Sequence, residues 1–503
     1  MHKASLWGPV ALFVVALFST PVFAQVIHTH GEAELEPAVL TVVTPSGIQQ
    51  IPYELGTLYV REKRSNPNSR IIPVGFARIR STTHPTGTPT FHLPGGPGNT
   101  MIDKLQGSGN AVLLQYLAAG DLVVLEQRGF TLRGEQLLSH FPGNPLPLHS
   151  PTSLADIKQS AVDLANASVA EYAGTEVDPS GYTILELADD VNDLRQALGY
   201  PRISLVGQSF GSQLSFAVMK RHPYIVKRAL LSGVEPLNNG YDMPSHVFAA
   251  VQRMALDIDK DPRFQPYLPL GGYMAAIDEI FDRLRTQPVG VQVTDPQTQQ
   301  TLTVVLGVED FQIFLNLAAE NPEPIIAIYQ GHYTNWAQQI AGLRLGGGMA
   351  TLKPLIPWLI DTSTGVTPIR NRQLHTDPAI EFLGTWTFDP YVVSAPIWPT
   401  QDVGNAFRTP MPTSIPVLFI AGDWDTSTPI ENTQGIVPYF PNSRTLYVHR
   451  GTHGARSDIE RTRPDVMTLI VEFLKTGNTS QLPTNVALPA PWNMDLPPPS
   501  SDD

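Results

Sequence analysis

Ile203-Ser204-Leu205-Val206-Gly207-Gln208-Ser209-Phe210-Gly211 runs an apolar strand directly into a serine flanked by glycines. Beyond it, Ser212 to about Arg221 reads as a helix, so the serine falls at a sharp strand-to-helix turn. Such a turn strains the serine backbone, and glycine on both flanks removes the side chains that would collide. The serine oxygen then stands at the carboxyl end of a sheet, over a helix N-terminus whose dipole favours developing negative charge. The bare Gly-x-Ser-x-Gly spacing means little in a chain with 39 glycines. The strand before it and the helix after it are what a nucleophile elbow requires. A glycine-rich turn with an incidental serine is the plain alternative.

Upstream, Ile184, Leu187, Val191, Leu194 and Leu198 recur at spacings of three and four, one face of an amphipathic helix ended by Gly199 and Pro201. Asp121 to Glu126 is an apolar run of strand length, suited to burial on both faces of a parallel sheet. Thr90-Phe91-His92-Leu93 is another short strand and leads into Pro94-Gly95-Gly96-Pro97-Gly98. Ile51 to Arg80 reads as two antiparallel strands about Asn66-Pro67-Asn68. Strands alternating with helices predict an α/β fold, a mostly parallel central sheet with helices on both faces.

Between about Glu235 and Thr400 the pattern changes to helices (246–259, 273–285, 309–319 and 326–343) with a hairpin over 289–306. The strand pattern returns at Val417-Leu418-Phe419-Ile420-Ala421-Gly422 and Thr445-Leu446-Tyr447-Val448-His449, followed by a helix from Pro464 to Lys475. The expected organisation is a core over 25–234 and 401–480, interrupted by a mainly helical cap over 235–400 that stands above the sheet's carboxyl edge. Residues 481–503 read as a Pro-rich tail lying loose on the surface.

Residues 1–24 have the form of an export signal: a basic start, an apolar run from Val10 to Phe18, and Pro21-Val22-Phe23-Ala24 as a small-residue cleavage site. Export to a periplasmic or secreted location is therefore expected, with no stable membrane anchor after signal removal. The chain has no cysteine, which excludes disulfides, thiolate metal sites and a cysteine nucleophile. Its 503 residues carry a formal net charge of −13, which argues against nucleic acid as a partner.

A serine hydroxyl needs a base, and the base an orienting acid. In a fold of this kind the chain order is nucleophile, acid, base. Asp425 follows the first of the two late strands and His453 follows the second, both in loops at carboxyl ends. Asp423 and His449 are their rivals, with a turn cap and a half-buried strand residue as plain roles. For the oxyanion, one backbone donor is expected at Phe210 and the other in the Pro94–Gly98 loop, at Gly96 or next at Gly95.

Taken together, the PGGPG loop, Glu126-Gln127-Arg128-Gly129, the GQSFG turn, the Asp-x-x-Thr-Pro ending at Pro429, and His453-Gly454 resemble the prolyl- and tripeptidyl-aminopeptidase family of α/β-hydrolases. The likeness runs from about Tyr53 to Lys475. It implies a cofactor-free, metal-free exopeptidase with Ser209, Asp425 and His453 as its triad and acidic cap residues gripping the substrate's free amine. Glu235, Glu309, Asp310, Glu320 and Glu323 lie in or at the edge of the cap and are the candidates. Three positions depart from the family: Pro94 stands where prolyl aminopeptidases carry a His, Glu126 replaces an Asp, and Gly129-Phe130-Thr131 lacks the following Gly-x-Ser. These bear on substrate, not on fold. The expected partner is a peptide or a small ester, the latter if the same machinery works without an amine grip. A non-catalytic binding protein on this scaffold is the remote alternative.

Overall fold

A computed structural model describes residues 28–44, 47–107, 110–295, 298–493 and 496. The expected export signal lies outside the described residues.

Twelve strands are described: β1 (Ala33–Thr44), β2 (Gly47–Arg61), β3 (Ile71–Ile79), β4 (Thr90–Leu93), β5 (Leu122–Leu125), β6 (Ile203–Gln208), β7 (Val226–Ser232), β8 (Val289–Thr294), β9 (Thr301–Leu306), β10 (Val417–Gly422), β11 (Ser443–His449) and β12 (Asn485–Ala487). Ten of them form one sheet in the order β1-β2-β3-β5-β4-β6-β7-β10-β11-β12. The pairs from β5 to β12 are parallel, and β1-β2, β2-β3 and β3-β5 are antiparallel. The mostly parallel α/β architecture is thus present, with an antiparallel wing at one edge.

The central strands β4, β5 and β10 are buried along their whole length, as their unbroken apolar runs require. One face packs on a core that includes Val191, Leu205, Phe210, Leu214 and Phe419. The other packs on a core of Val206, Ile420, Val448, Ile459 and Ile470. Alternate residues of one strand therefore serve opposite faces: Leu205 goes one way and Val206 the other.

The segment between β7 and β10 is largely helical and contains the β8-β9 hairpin. It has an apolar core of its own, with Val251, Phe281, Phe311 and Trp336 at its centre. The single helix expected over 326–343 is instead two, Pro322–Tyr329 and Thr334–Leu345. Gly331 adopts φ +86°, its N–H donates to Ile328 O and the His332 N–H donates to Ala327 O. This Schellman closure ends the first helix, and a glycine inside an apolar period hides it from sequence.

The tail also departs from expectation. β12 pairs in parallel with β11. Trp492, 8% exposed, stacks on Trp424 with ring centroids 5.1 Å apart and planes 9° apart. Leu482, Val486, Leu488 and Trp492 are all buried, enough apolar surface to hold a proline-rich segment down. β1 and β7 have no counterpart in the sequence reading.

Candidate active site

Ser209 stands between β6 and the helix Phe210–Arg221 with φ 57° and ψ −132°. A non-glycine residue at positive φ is strained and is held only by its surroundings. A Cβ on Gly207 would meet Gly211 O at 2.2 Å, and one on Gly211 would meet Leu93 O at 2.5 Å. Both flanking glycines are thus sterically obligatory. The Ser209 N–H donates to Ser232 O and Gly233 O, which ties the turn to the end of β7.

Asp425 and His453 come together from the loops after β10 and β11. His453 Nδ1 lies 3.1 Å from Asp425 Oδ1 and 3.2 Å from Oδ2. Asp425 is 2% exposed, and its carboxylate accepts from the N–H groups of Ser427 and Thr428 and from the Thr428 hydroxyl. A buried carboxylate with this many donors has its lone pairs satisfied and its position set. The imidazole packs over Gly233, where an added Cβ would lie 3.0 Å from His453 Cε1. Ser209 and His453 line one cavity of about 700 Å3 together with Gly95 and Gly96.

The rivals pair with each other. His449 Nδ1 is 2.8 Å from Asp423 Oδ2, the Arg450 N–H donates to Asp423 Oδ1, and neither rival lines the Ser209 cavity. The two loops therefore hold two Asp–His pairs, and only His453 of the two histidines lines the Ser209 cavity.

The glycine loop after β4 lies against Ser209: a Cβ on Gly95 would be 3.4 Å from Ser209 Cβ. Gly96 has φ +108°. Among the described residues the N–H groups of Gly95, Gly96 and Phe210 have no acceptor. Gln127, 1% exposed, clamps this loop. Its Nε2 donates to Gly95 O at 2.9 Å and to Pro94 O at 3.3 Å, and its Oε1 accepts from Gly98 N–H at 2.7 Å. The neighbouring Arg128 is fully buried and donates through Nε and Nη2 to the Asp190 carboxylate. Gln127 is thus a brace for the loop, while Arg128 ties the segment after β5 to Asp190, roles that periodicity and composition do not reveal.

The five candidate acids part company. Glu320 accepts from the His453 N–H at 2.7 Å and the Thr426 N–H at 3.4 Å. Burial and the nearby Asp425 charge push its pKa up to about 7. Glu235 accepts from Gln213 Nε2 at 3.0 Å. Burial, with the charges of Asp361 and Asp242, raises it well above the usual carboxylate range. Asp310 is withdrawn from any substrate role. It is fully buried, ion-paired to Arg344 at 2.6 Å, bonded to Thr152, and caps its own helix at Gly307 N–H. Glu309 is exposed and lines a separate cavity with Gln312 and Trp386. Glu323 sits in the first turn of the helix Pro322–Tyr329, within electrostatic range of Arg263.

Two further acids escape sequence reasoning, Asp242 and Asp361. Burial raises both, Asp242 to about 7 with help from Asp425 and against the pull of Arg370. Asp242 acts electrostatically on His453, and Asp361 on Glu235. None of Glu235, Asp242 and Asp361 forms an ion pair among the described residues. Nothing in their sequence context marks them: they sit in loop and helix, and only folding gathers them. Burial works against a charged His453, but the carboxylates of Asp425, Glu320 and Asp242 outweigh it and raise its pKa to about 9.

Two family profiles match the chain, that of the alpha/beta hydrolase fold over residues 150–265 and that of TAP-like protein over residues 387–485. No curated protein matches it. Among solved structures it is similar to an esterase from Exiguobacterium antarcticum (12% identity, 87% of this chain and 100% of that one, TM-score 0.35). It is also similar to a thermophilic esterase from Thermogutta terrifontis (15%, 83% and 98%, TM-score 0.34). An epoxide hydrolase from an endophytic Streptomyces is a third (13%, 90% and 99%, TM-score 0.35). Its sheet and its strand–serine–helix turn are those of the α/β-hydrolase fold, in agreement with the first profile match, and residues 387–485 match the profile of TAP-like protein.

Proposed function

We propose that this hydrolase is an exported serine aminopeptidase that releases N-terminal residues from peptides through an acyl-enzyme. Ser209 Oγ attacks the scissile carbonyl carbon while His453 Nε2 takes its proton, and Asp425 holds the imidazole through Nδ1. The N–H groups of Phe210 and Gly96, with Gly95 beside them, bind the oxyanion; Gln127 keeps that loop in place. The tetrahedral intermediate collapses, the peptide amine leaves with the proton from His453, and the acyl group stays on Ser209. Water, deprotonated by His453, then frees it.

The observation that carries the aminopeptidase reading is the group of three carboxylates, Glu235, Asp242 and Asp361, which make no ion pair among the described residues, whereas the buried Asp190 and Asp310 are bridged by arginine. Crowded, half-buried carboxylates are unfavourable without a counter-charge, and a substrate ammonium supplies one. Glu320 adds a fourth acid beside His453. The TAP-like match supports the same reading, and the form of residues 1–24 supports export.

The test is a matched pair of arylamide substrates, one with a free amine and one N-acetylated. Acetylation should lower kcat/KM by at least about a hundredfold, the scale of losing a charge-assisted contact between buried groups. Equal values would overturn the reading in favour of an esterase using the same triad.

A further inference from the structure

The cavity that Ser209 shares with His453 has a wall of opposite sign to the acids. Lys104, Arg456 and Arg461 line it, and Glu460 is the only carboxylate among its lining residues. This is unusual for the chain as a whole, in which 46 acids outnumber 33 bases. Glu460 is already engaged, accepting from the Tyr116 hydroxyl and lying 3.6 Å from Arg456 Nε. Arg461 is paired with Asp458 at the rim.

Arg456 is only 4% exposed, and its Nε and Nη1 groups have no hydrogen-bond acceptor. Its Nη2 reaches His92 Nε2 at 3.2 Å and Gln208 Oε1 at 3.3 Å. Gln208 in turn donates to His453 O at 2.7 Å, so this guanidinium is one side chain removed from the catalytic loop. Lys104 stands in the helix Ile102–Gln106, directly after the glycine loop, and makes no ion pair among the described residues. Burial holds His92 well below its ordinary pKa, with the charges of Arg456 and Lys104 adding to the effect. None of Glu235, Asp242 and Asp361 lines this cavity. The cationic wall and the acids thus belong to different surfaces: Asp242 lines another cavity, together with Thr426 and Ser427 of the Asp425 loop.

We propose that the Lys104–Arg456–Arg461 wall is a carboxylate-binding subsite on the leaving-group side of Ser209, which receives the C-terminal carboxylate of a short peptide. The assignment rests on the aminopeptidase reading for the direction in which the peptide lies. A peptide with both ends free matches the two signs at once: its ammonium meets the cap acids and its carboxylate meets this wall. A cavity of about 700 Å3 is of the size that holds a small ligand rather than a protein segment. The substrate class is therefore short peptides with a free C-terminus, not the N-termini of folded proteins.

Binding to the full-length Ser209→Ala variant separates this subsite from catalysis. Trialanine, its C-terminal amide and its N-acetyl form are titrated calorimetrically at low salt. The free acid should bind at least about tenfold tighter than the amide, the scale of one charge-assisted hydrogen bond. Lys104→Met added to Ser209→Ala should bring that ratio towards one. Equal affinity for acid and amide, with acetylation still weakening binding, overturns the subsite and leaves the aminopeptidase reading standing. A persistent acid-over-amide preference with no effect of acetylation keeps the subsite and removes the amine grip. Absence of binding by all three peptides overturns both.

Discussion

Replacing Glu320 with Gln should move the enzyme's pH–activity profile towards acid. The Glu320 carboxylate lies against the His453 backbone, accepting its N–H at 2.7 Å, and is among the charges that raise the imidazole to about 9. His453 acts as a base only when neutral, so activity should rise with pH through that value, with only a minor part of the free enzyme competent at pH 7. Glu320 itself titrates near 7 and is ionised over the rising limb, so its full charge acts there. A unit charge about 6 Å away, in an effective dielectric between 20 and 80, is worth roughly 0.7–2.8 kcal/mol, or about half to two pH units. The amide oxygen of Gln still accepts the His453 and Thr426 N–H groups, so the loop keeps its shape. The limb should therefore fall by about one unit, and the rate at pH 7 should rise several-fold. Acylation by an activated aryl ester, followed from neutral to alkaline pH, is the assay, because such a substrate carries no amine to bind the acids. Glu320→Ala is the control: it removes the charge and the acceptor together, and should lower the rate at every pH. A limb that stays in place or moves to higher pH in Glu320→Gln refutes the electrostatic argument.

Asp425→Asn should lower kcat by roughly 10^3–10^4, the cost of presenting the wrong imidazole tautomer, whereas Asp423→Asn should stay within a few-fold; steady-state kinetics of the two variants decide, and the reverse ranking transfers the role to the Asp423–His449 pair. Trp492→Ala should destabilise the fold by about 3 kcal/mol, since the indole is buried between Trp424 and Phe264. Chemical denaturation reads this directly, and a change below about 0.5 kcal/mol would mean that the tail is not docked.

Much of this site is legible along the chain because the chemistry is local there. Gly207, Ser209 and Gly211 lie within five residues, and the clash that forces Gly207 is with the helix start across the same turn, although the one that forces Gly211 is with Leu93 and Pro94 of the neighbouring strand and its loop. Asp425 and His453 are legible for a related reason: each follows a buried strand, and the carboxyl ends of parallel strands converge on one edge. Neighbouring rivals could not be separated on that basis. Asp423 lies two residues from Asp425 and His449 four from His453, so only the side chains' directions assign each pair to its own side of the loops.

The errors have equally specific causes. Gly331 splits a helix whose apolar period runs on without interruption. Asp310 reads as an available acid until the fold places Arg344 against it, 34 residues further on. β7 carries Lys227 and Arg228 at its start, which breaks the apolar run although the strand is central in the sheet.

The fold class and the serine turn were legible along the chain because they depend on steric rules acting over a few residues and on the period of apolar side chains, and the expected order of acid and base follows from that fold. Tertiary structure alone decided which charges meet. Glu320 and Asp242 come from separate segments and both act on His453, Asp361 comes in beside Glu235, and Lys104 and Arg456, 352 positions apart (456 − 104), line one cavity with Ser209. The physical reason is range: a backbone clash ends within a few ångströms of chain, but Coulomb energy depends on distance in space and on burial, neither of which exists until the chain has folded.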